Sequence, residues 1–323
     1  MNANSVNDLV SESRAFIMGV VMIVIMLFHA SFGFLGKLGL LFSIYGHWGV
    51  DIFLYLSGFG LYYALRKNEG NTLLQFYNRR AVRILPAAIL VGTVLYAINY
   101  AGILGVLGLN LWYIRTLVVL YVCSPFIYKL CIKNNPFLFF IWIMMIAVCV
   151  VLVSVPVLKD TGFLYQSSIS WTAARLPVFC LGMLMAHHVV SIPRILRPML
   201  LLFFAVVLIL LLILHYQRHV LSSLSSYLHL LPYILLAGIV PYFCIILGGF
   251  YRMLPRCVCR PFVFLGRMSL EIYLVHEAVF RYVGALAMPS YAKFLLAYTM
   301  SLVTAFCVHV TINWMSRRIF HRS

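Results

Sequence analysis

SRAFIMGVVMIVIMLFHASFGF at residues 13–34, GHWGVDIFLYLSGFGLYYALRK at 46–67 and FYNRRAVRILP at 76–86 decide how the chain is to be read. The first two are apolar runs long enough to cross a bilayer, which takes about 20 apolar residues. Each carries one ionisable group where hydrocarbon makes such a group expensive: His29 in the first, Asp51 in the second. The third closes the hairpin with a tight basic cluster, Arg79, Arg80 and Arg83. Ionisable residues within membrane segments face the bundle interior and are functional candidates by default.

Working outward, the same apolar character fills the chain. With 64% hydrophobic and only 10% charged residues, its 323 residues exclude a soluble globular domain. The net charge of +17 does not indicate nucleic-acid binding, because Lys and Arg fall between apolar runs rather than on one soluble face. No nucleic-acid partner is expected. Most of the eight cysteines lie in apolar runs, where a thiol behaves as a small hydrophobe. Cys257 and Cys259 form the one close pair and lack a second ligand pair, so no metal is expected. The polar start MNANSVNDLVSES and the length of the first apolar run argue for a retained first helix rather than a cleaved signal.

Ten apolar runs are candidate spans: 15–35, 47–65, 84–101, 109–128, 136–156, 171–188, 199–216, 230–249, 268–285 and 294–314. The basic stretch 71–83 reads as an interfacial helix. No internal repeat and no appended soluble domain is evident. With a cytoplasmic N-terminus, 16 Lys and Arg fall in inside segments and five outside, at Lys37, Lys159, Arg218, Arg281 and Lys293. That asymmetry obeys the positive-inside rule and sets both termini in the cytoplasm. The expectation is an all-α polytopic bundle of about ten helices, one integral domain over 1–323. It has a short polar N-terminus at 1–13 and a basic cytoplasmic loop at 66–83.

Depth groups the charges. His29 lies 15 residues beyond Arg14, hence about 22 Å deeper at 1.5 Å per residue, in the outer third of a core about 30 Å thick. Asp51, Arg115 and Arg175 each stand about one turn inside runs that enter from the outer side. Four ionisable groups at one level predict a polar chamber open toward that side.

At these residues the chain resembles the acyltransferase 3 family of integral membrane O-acyltransferases. HWGVDIFLYLSGF at 47–59 is similar to the family's GVD-F-LSGF stretch, and FYNRRAVRILP to its basic R-x-x-R-I-x-P segment. LWYIRTLVVLYVCSP, ARLPVFCLGML and LGRMSLEIYLVHE resemble later landmarks in the family's order. The resemblance implies about ten transmembrane helices and transfer of an acyl group, usually acetyl from acetyl-CoA, to a carbohydrate hydroxyl. It also implies that the histidine of the first helix, here His29, is catalytic. The family's basic residue eleven positions before that histidine is Met18 here; Arg14, one helical turn earlier on nearly the same face, is the candidate to take that role. Relatives often carry an appended esterase-like domain, and a free-standing transmembrane enzyme is expected instead.

The chemistry asks for a base to take the hydroxyl proton and for stabilisation of the oxyanion. A neutral imidazole at His29 can serve as base, or can accept the acyl group covalently; helix packing is its bland role. Asp51 either orients His29 or pairs with Arg115 or Arg175, and a buried ion pair that only fixes packing is the alternative. Arg80 and Arg83 have the forked donors suited to coenzyme A phosphates, while topology alone also explains an arginine cluster. Arg14 has the same two readings, plus a salt bridge to Glu271. Arg115, Arg175 and Tyr113 are candidates to bind the acceptor, Tyr113 by stacking unless it belongs to an interfacial aromatic belt. Ser57-Gly58 reads as a small-residue packing face rather than a nucleophile.

Together these residues lead to the expectation of an O-acetyltransferase of the bacterial inner membrane. It uses acetyl-CoA as donor and a cell-envelope polysaccharide or lipid-linked saccharide as acceptor. Membrane lipid and a second copy of the chain are its other expected partners. The rivals are a lipid-linked glycan transporter or flippase and an inactive partner in glycan assembly.

Overall fold

The computed structural model describes residues 4–30, 48–67, 72–98, 111–157, 163–188 and 237–320, with isolated positions 206, 209 and 234. The described residues form ten α-helices and no strand. These are α1 (Asn4–His29), α2 (Gly49–Lys67), α3 (Leu73–Ala97), α4 (Trp112–Lys133), α5 (Pro136–Val157), α6 (Phe163–His187), α7 (Val240–Met253), α8 (Arg256–Arg267), α9 (Ser269–Gly284) and α10 (Ser290–Phe320). Six of them, α1, α3, α4, α5, α6 and α10, are long and apolar enough to cross a membrane.

Helix α4 buries one stripe and leaves a second apolar face outward. In α4 the buried residues Tyr113, Ile114, Leu117, Leu120, Ser124, Ile127, Tyr128 and Cys131 recur at three- and four-residue spacing, while Val119, Val122 and Phe126 stay exposed. That is the surface of a protein whose solvent is lipid. Pro125 has no N–H for the Tyr121 carbonyl one turn back, and the Ser124 hydroxyl donates to that carbonyl instead, at 2.7 Å.

The chain divides into two compact units: residues 1–12, 51–69 and 116–250 in the first, and 13–50, 70–115 and 251–323 in the second. In the first, α5 and α6 pack as a hairpin, joined by a hydroxyl pair between Ser154 and Ser170 at 2.7 Å. Another such pair, Thr116 to Thr172 at 3.0 Å, ties α4 to α6. A Cβ on Gly58 of α2 would collide with the Phe179 carbonyl, and one on Gly182 of α6 with that of Tyr55, so the two backbones cross in direct contact there. Ser57-Gly58 is thus part of a packing face. In the second unit α9 packs along α10, and α3 packs on both. There α1 crosses α8, and a Cβ on Gly19 or Gly266 would strike the carbonyl of Phe262 or Ala15.

Several element boundaries differ from those read in the sequence. The polar start is not a tail: α1 begins at Asn4, because Leu9, Val10, Ser13, Phe16 and Ile17 continue one buried stripe. The stretch 71–83 is not a separate interfacial helix but the first half of α3, which starts where the Thr72 side chain accepts from the Gln75 N–H. At 25 residues α3 is about 37 Å long, more than the hydrocarbon core needs, so its basic turns have length to project beyond it. Likewise, of the basic loop expected at 66–83, Arg66 and Lys67 close α2 and Arg79, Arg80 and Arg83 ride on α3. The segment 256–267, expected to be connecting loop, is the helix α8. The expected span 199–216 and the first part of 230–249 lie outside the described residues, apart from a few positions.

Candidate active site

His29 is the last residue of α1, where the Ala30 N–H turns back to the Leu27 carbonyl and the helix stops. Gly49, at the start of α2, lies against Val21 and Ile25 of α1, and any larger residue there would press on both. The half-buried His29 ring packs edge-on against Phe28 at 4.7 Å between centroids. On its other side it meets His276 of α9, centroids 4.9 Å apart and planes at 72°.

His276 is 1% exposed, and its tautomer is set by its own helix. Nδ1 lies 3.0 Å from the Ile272 carbonyl oxygen and 2.9 Å from that of Tyr273. Carbonyls only accept, so Nδ1 carries the proton, and in the neutral ring Nε2 is the nitrogen with the lone pair. Nε2 is buried and has no hydrogen-bond partner among the described residues. A buried polar atom left unpaired is rare and asks for an explanation. Beside a second imidazole at the end of a membrane helix, the explanation the chemistry offers is a proton acceptor.

Aromatic contacts run on from this pair. The His276 ring touches Tyr273 at 5.4 Å and Phe280 at 6.0 Å, and Tyr273 in turn meets Tyr113 of α4 at 4.7 Å. Tyr113 is thus two rings removed from His276 and three from His29. Glu277, the residue after His276, is turned to Arg281 at 3.2 Å. Glu271, in the first turn of α9, accepts from His309 Nδ1 of α10 at 2.8 Å.

The first unit holds a different ionic feature. Asp51 on α2 and Arg175 on α6 are both fully buried, Oδ1 to Nε 3.4 Å, with the guanidinium 4.8 Å over the Trp171 ring. The distance is longer than a tight charge-assisted hydrogen bond, about 2.7–2.9 Å, so this is an ion pair reinforced by a cation–π contact. Complete burial is the arrangement of the packing pair that the sequence also allowed for Asp51.

The remaining candidates lie in the second unit. Arg80 is half-buried with its guanidinium 5.5 Å over the Phe76 ring, while Arg83 is exposed one turn along α3. Arg14 is half-buried on α1, two residues before the Phe16 side chain that packs on Phe262 of α8 at 5.5 Å. Arg115 is half-buried at the first turn of α4, its Nε without a hydrogen-bond partner among the described residues. Of the four ionisable groups expected at one level, the structure pairs Asp51 with Arg175 in one unit and assigns His29 and Arg115 to the other. Sequence reasoning passed over His276 as a partner of His29. Its signal was a histidine in an apolar run within LGRMSLEIYLVHE, but spacing along the chain could not say which helix it faced.

Comparison with the curated proteins and with the solved structures gives no match. The sequence model of one family, described as an acyltransferase domain, does match, and it covers residues 17–314. That range takes in His29, the arginines of α3, the Asp51–Arg175 pair, and His276. A chain of membrane-length helices matched over nearly its whole length in this way is a multi-pass membrane acyltransferase and belongs to the acyltransferase 3 family.

Proposed function

We propose that this acyltransferase is an O-acetyltransferase of the bacterial inner membrane. It moves an acetyl group from cytoplasmic acetyl-CoA to a hydroxyl of a cell-envelope polysaccharide or glycolipid, with both termini of the chain in the cytoplasm. The observation that carries the reading is the His29–His276 contact, two imidazoles 4.9 Å apart with the buried ring's lone pair on Nε2. Family membership supports the reaction class, and the loop charges support the orientation.

In this reading His29 takes the proton of the acceptor hydroxyl as its oxygen attacks the thioester carbonyl. The new C–O bond forms, the C–S bond breaks, and the proton passes from the imidazolium to the leaving thiolate. His276 is a positioning residue: its Nε2, without a hydrogen-bond partner among the described residues, takes the N–H of His29 once substrate is bound, which keeps the lone pair of His29 on the nitrogen facing the hydroxyl and stabilises the imidazolium. Arg80, Arg83 and Arg14 take the donor's phosphates, and Arg115 and Tyr113 contact the sugar. Asp51 and Arg175 hold α2 to α6 within the first unit.

The test uses purified protein in liposomes with acetyl-labelled acetyl-CoA and an envelope glycan extract. His29→Ala is expected to lower transfer by about a hundredfold or more, the usual contribution of a positioned base. Full activity in a folded His29→Ala protein overturns the assignment. A folded wild type that neither binds donor nor releases coenzyme A moves the reading to a lipid-linked glycan transporter or an inactive assembly partner.

A further inference from the structure

Where α7 gives way to α8 the second unit forms an open cavity of about 570 Å³, within the span of small-ligand sites, about 300–1,000 Å³. Four arginines line it: Arg252 near the end of α7, and Arg256, Arg260 and Arg267 along α8. Tyr251 and Phe264 contribute aromatic wall. Among the described lining residues none is acidic.

The convergence is built into α8. Residues 256, 260 and 267 fall on one face of a helix, four and eleven positions apart, at about 100° per residue. The other face is committed to α1, with Phe262 on Phe16 and Gly266 against the Ala15 carbonyl. With that backbone crossing closed, α8 cannot turn to spread its arginines. The thiol of Cys259 reaches the Tyr251 and Leu254 carbonyls at 3.7 and 3.9 Å, which also fixes the corner between α7 and α8. Pro255 stands at the N-cap of α8 and gives no side-chain cap, so the first N–H groups of the helix have no capping side chain.

Positive-inside topology asks only for cationic loops, and arginines scattered over a convex surface would satisfy it. Four exposed arginines lining one concavity gather like charge in one place, and their planar forks match phosphate oxygens two at a time. We infer that this cavity is a binding site for a ligand carrying two or more phosphate groups, from a nucleotide or from an anionic phospholipid headgroup. The inference goes beyond the acyl-transfer reading and does not depend on His29.

The test reconstitutes the full chain in phosphatidylcholine nanodiscs and measures binding of inorganic pyrophosphate and of adenosine 3′,5′-bisphosphate. Retention of the diphosphate lipid cardiolipin is followed by native mass spectrometry in parallel. An Arg256→Gln/Arg260→Gln variant, checked for folding by size-exclusion chromatography, is expected to lose about tenfold or more in affinity for at least one probe. Loss confined to the soluble probes identifies a nucleotide site, and loss confined to the lipid identifies a headgroup site. Lys129→Gln/Lys133→Gln removes the same charge from the exposed end of α4 and is expected to change nothing. Equal losses in both variants, or no Arg256/Arg260-dependent binding of any probe, overturns the proposal. Donor turnover is not read in this assay, so failure of the acyl-transfer reading and failure of this site are separate results.

Discussion

A histidine whose Nδ1 serves two carbonyls has its other nitrogen defined, and His276 keeps that nitrogen buried beside His29. His276→Phe keeps a ring and removes the unpaired atom. Losing an unsatisfied buried polar group is neutral or stabilising, so the thermal midpoint should hold or rise. Acetyl transfer should fall by about tenfold or more if Nε2 positions His29, and unchanged kcat would leave His276 a packing residue. Asp51 and Arg175 predict the opposite pattern. Asp51→Asn removes the charge that faces a buried guanidinium and should lower unfolding free energy by about 3–5 kcal/mol. The paired change Asp51→Leu/Arg175→Met should recover most of that in a thermal-stability assay, and failure to recover would give the pair a role beyond packing. His29 was legible in the sequence because a titratable group in an apolar run declares itself, and Arg175 was among the partners considered for Asp51. His276 was not singled out, since no residue spacing reports which rings meet across helices.

Among the elements, the long helices were legible and the short amphipathic one was not. α5 and α10 announce themselves through apolar runs that greatly exceed their buried share. α8 is only 12 residues long, too short to span, and its arginines resemble loop charges. Its helical signal was the register of Arg256, Arg260 and Arg267 against Phe262 and Gly266, a pattern of period 3.6 rather than of hydropathy. Merging 71–83 into α3 escaped for a related reason: basic residues are good helix formers, and a change in polarity need not be a change in backbone. The crossing of α1 and α8 makes a sharp prediction. Gly266→Ala sets a Cβ against the Ala15 carbonyl and should reduce the folded fraction recovered in detergent. Gly249→Ala meets nothing within 4 Å and should be tolerated, with a gain of up to about 1 kcal/mol from restricting the unfolded chain. Fluorescence-detected size-exclusion with a temperature ramp separates the two outcomes.

For the whole molecule, composition already dictated a lipid-facing exterior, and residues such as Phe137, Trp142 and Leu295 are indeed more than half exposed. What composition could not dictate is how segments distant in the chain are shared between units, because that depends on contacts rather than on runs. Orientation is a property of the whole chain and can be read from a single thiol. Cys123, Cys149 and Cys307 are exposed on membrane-length helices, whereas Cys257 is exposed on α8. A charged, membrane-impermeant maleimide should label Cys257 in inverted vesicles and not in right-side-out ones. The reverse pattern would invert the topology drawn from the loop charges and move the arginine cavity to the outer face.

The carbonyls that hold the His276 proton belong to residues three and four positions earlier in the same helix. The setting of that ring therefore travels with α9 and needs no neighbour to maintain it. Helices around it can shift during a catalytic cycle without moving the proton from one nitrogen to the other. A peptide covering Ser269–Gly284, helical in a detergent micelle, should already show the Nδ1–H form in its ring nitrogen-15 shifts, so part of the site's preparation is local enough to be inherited by a fragment.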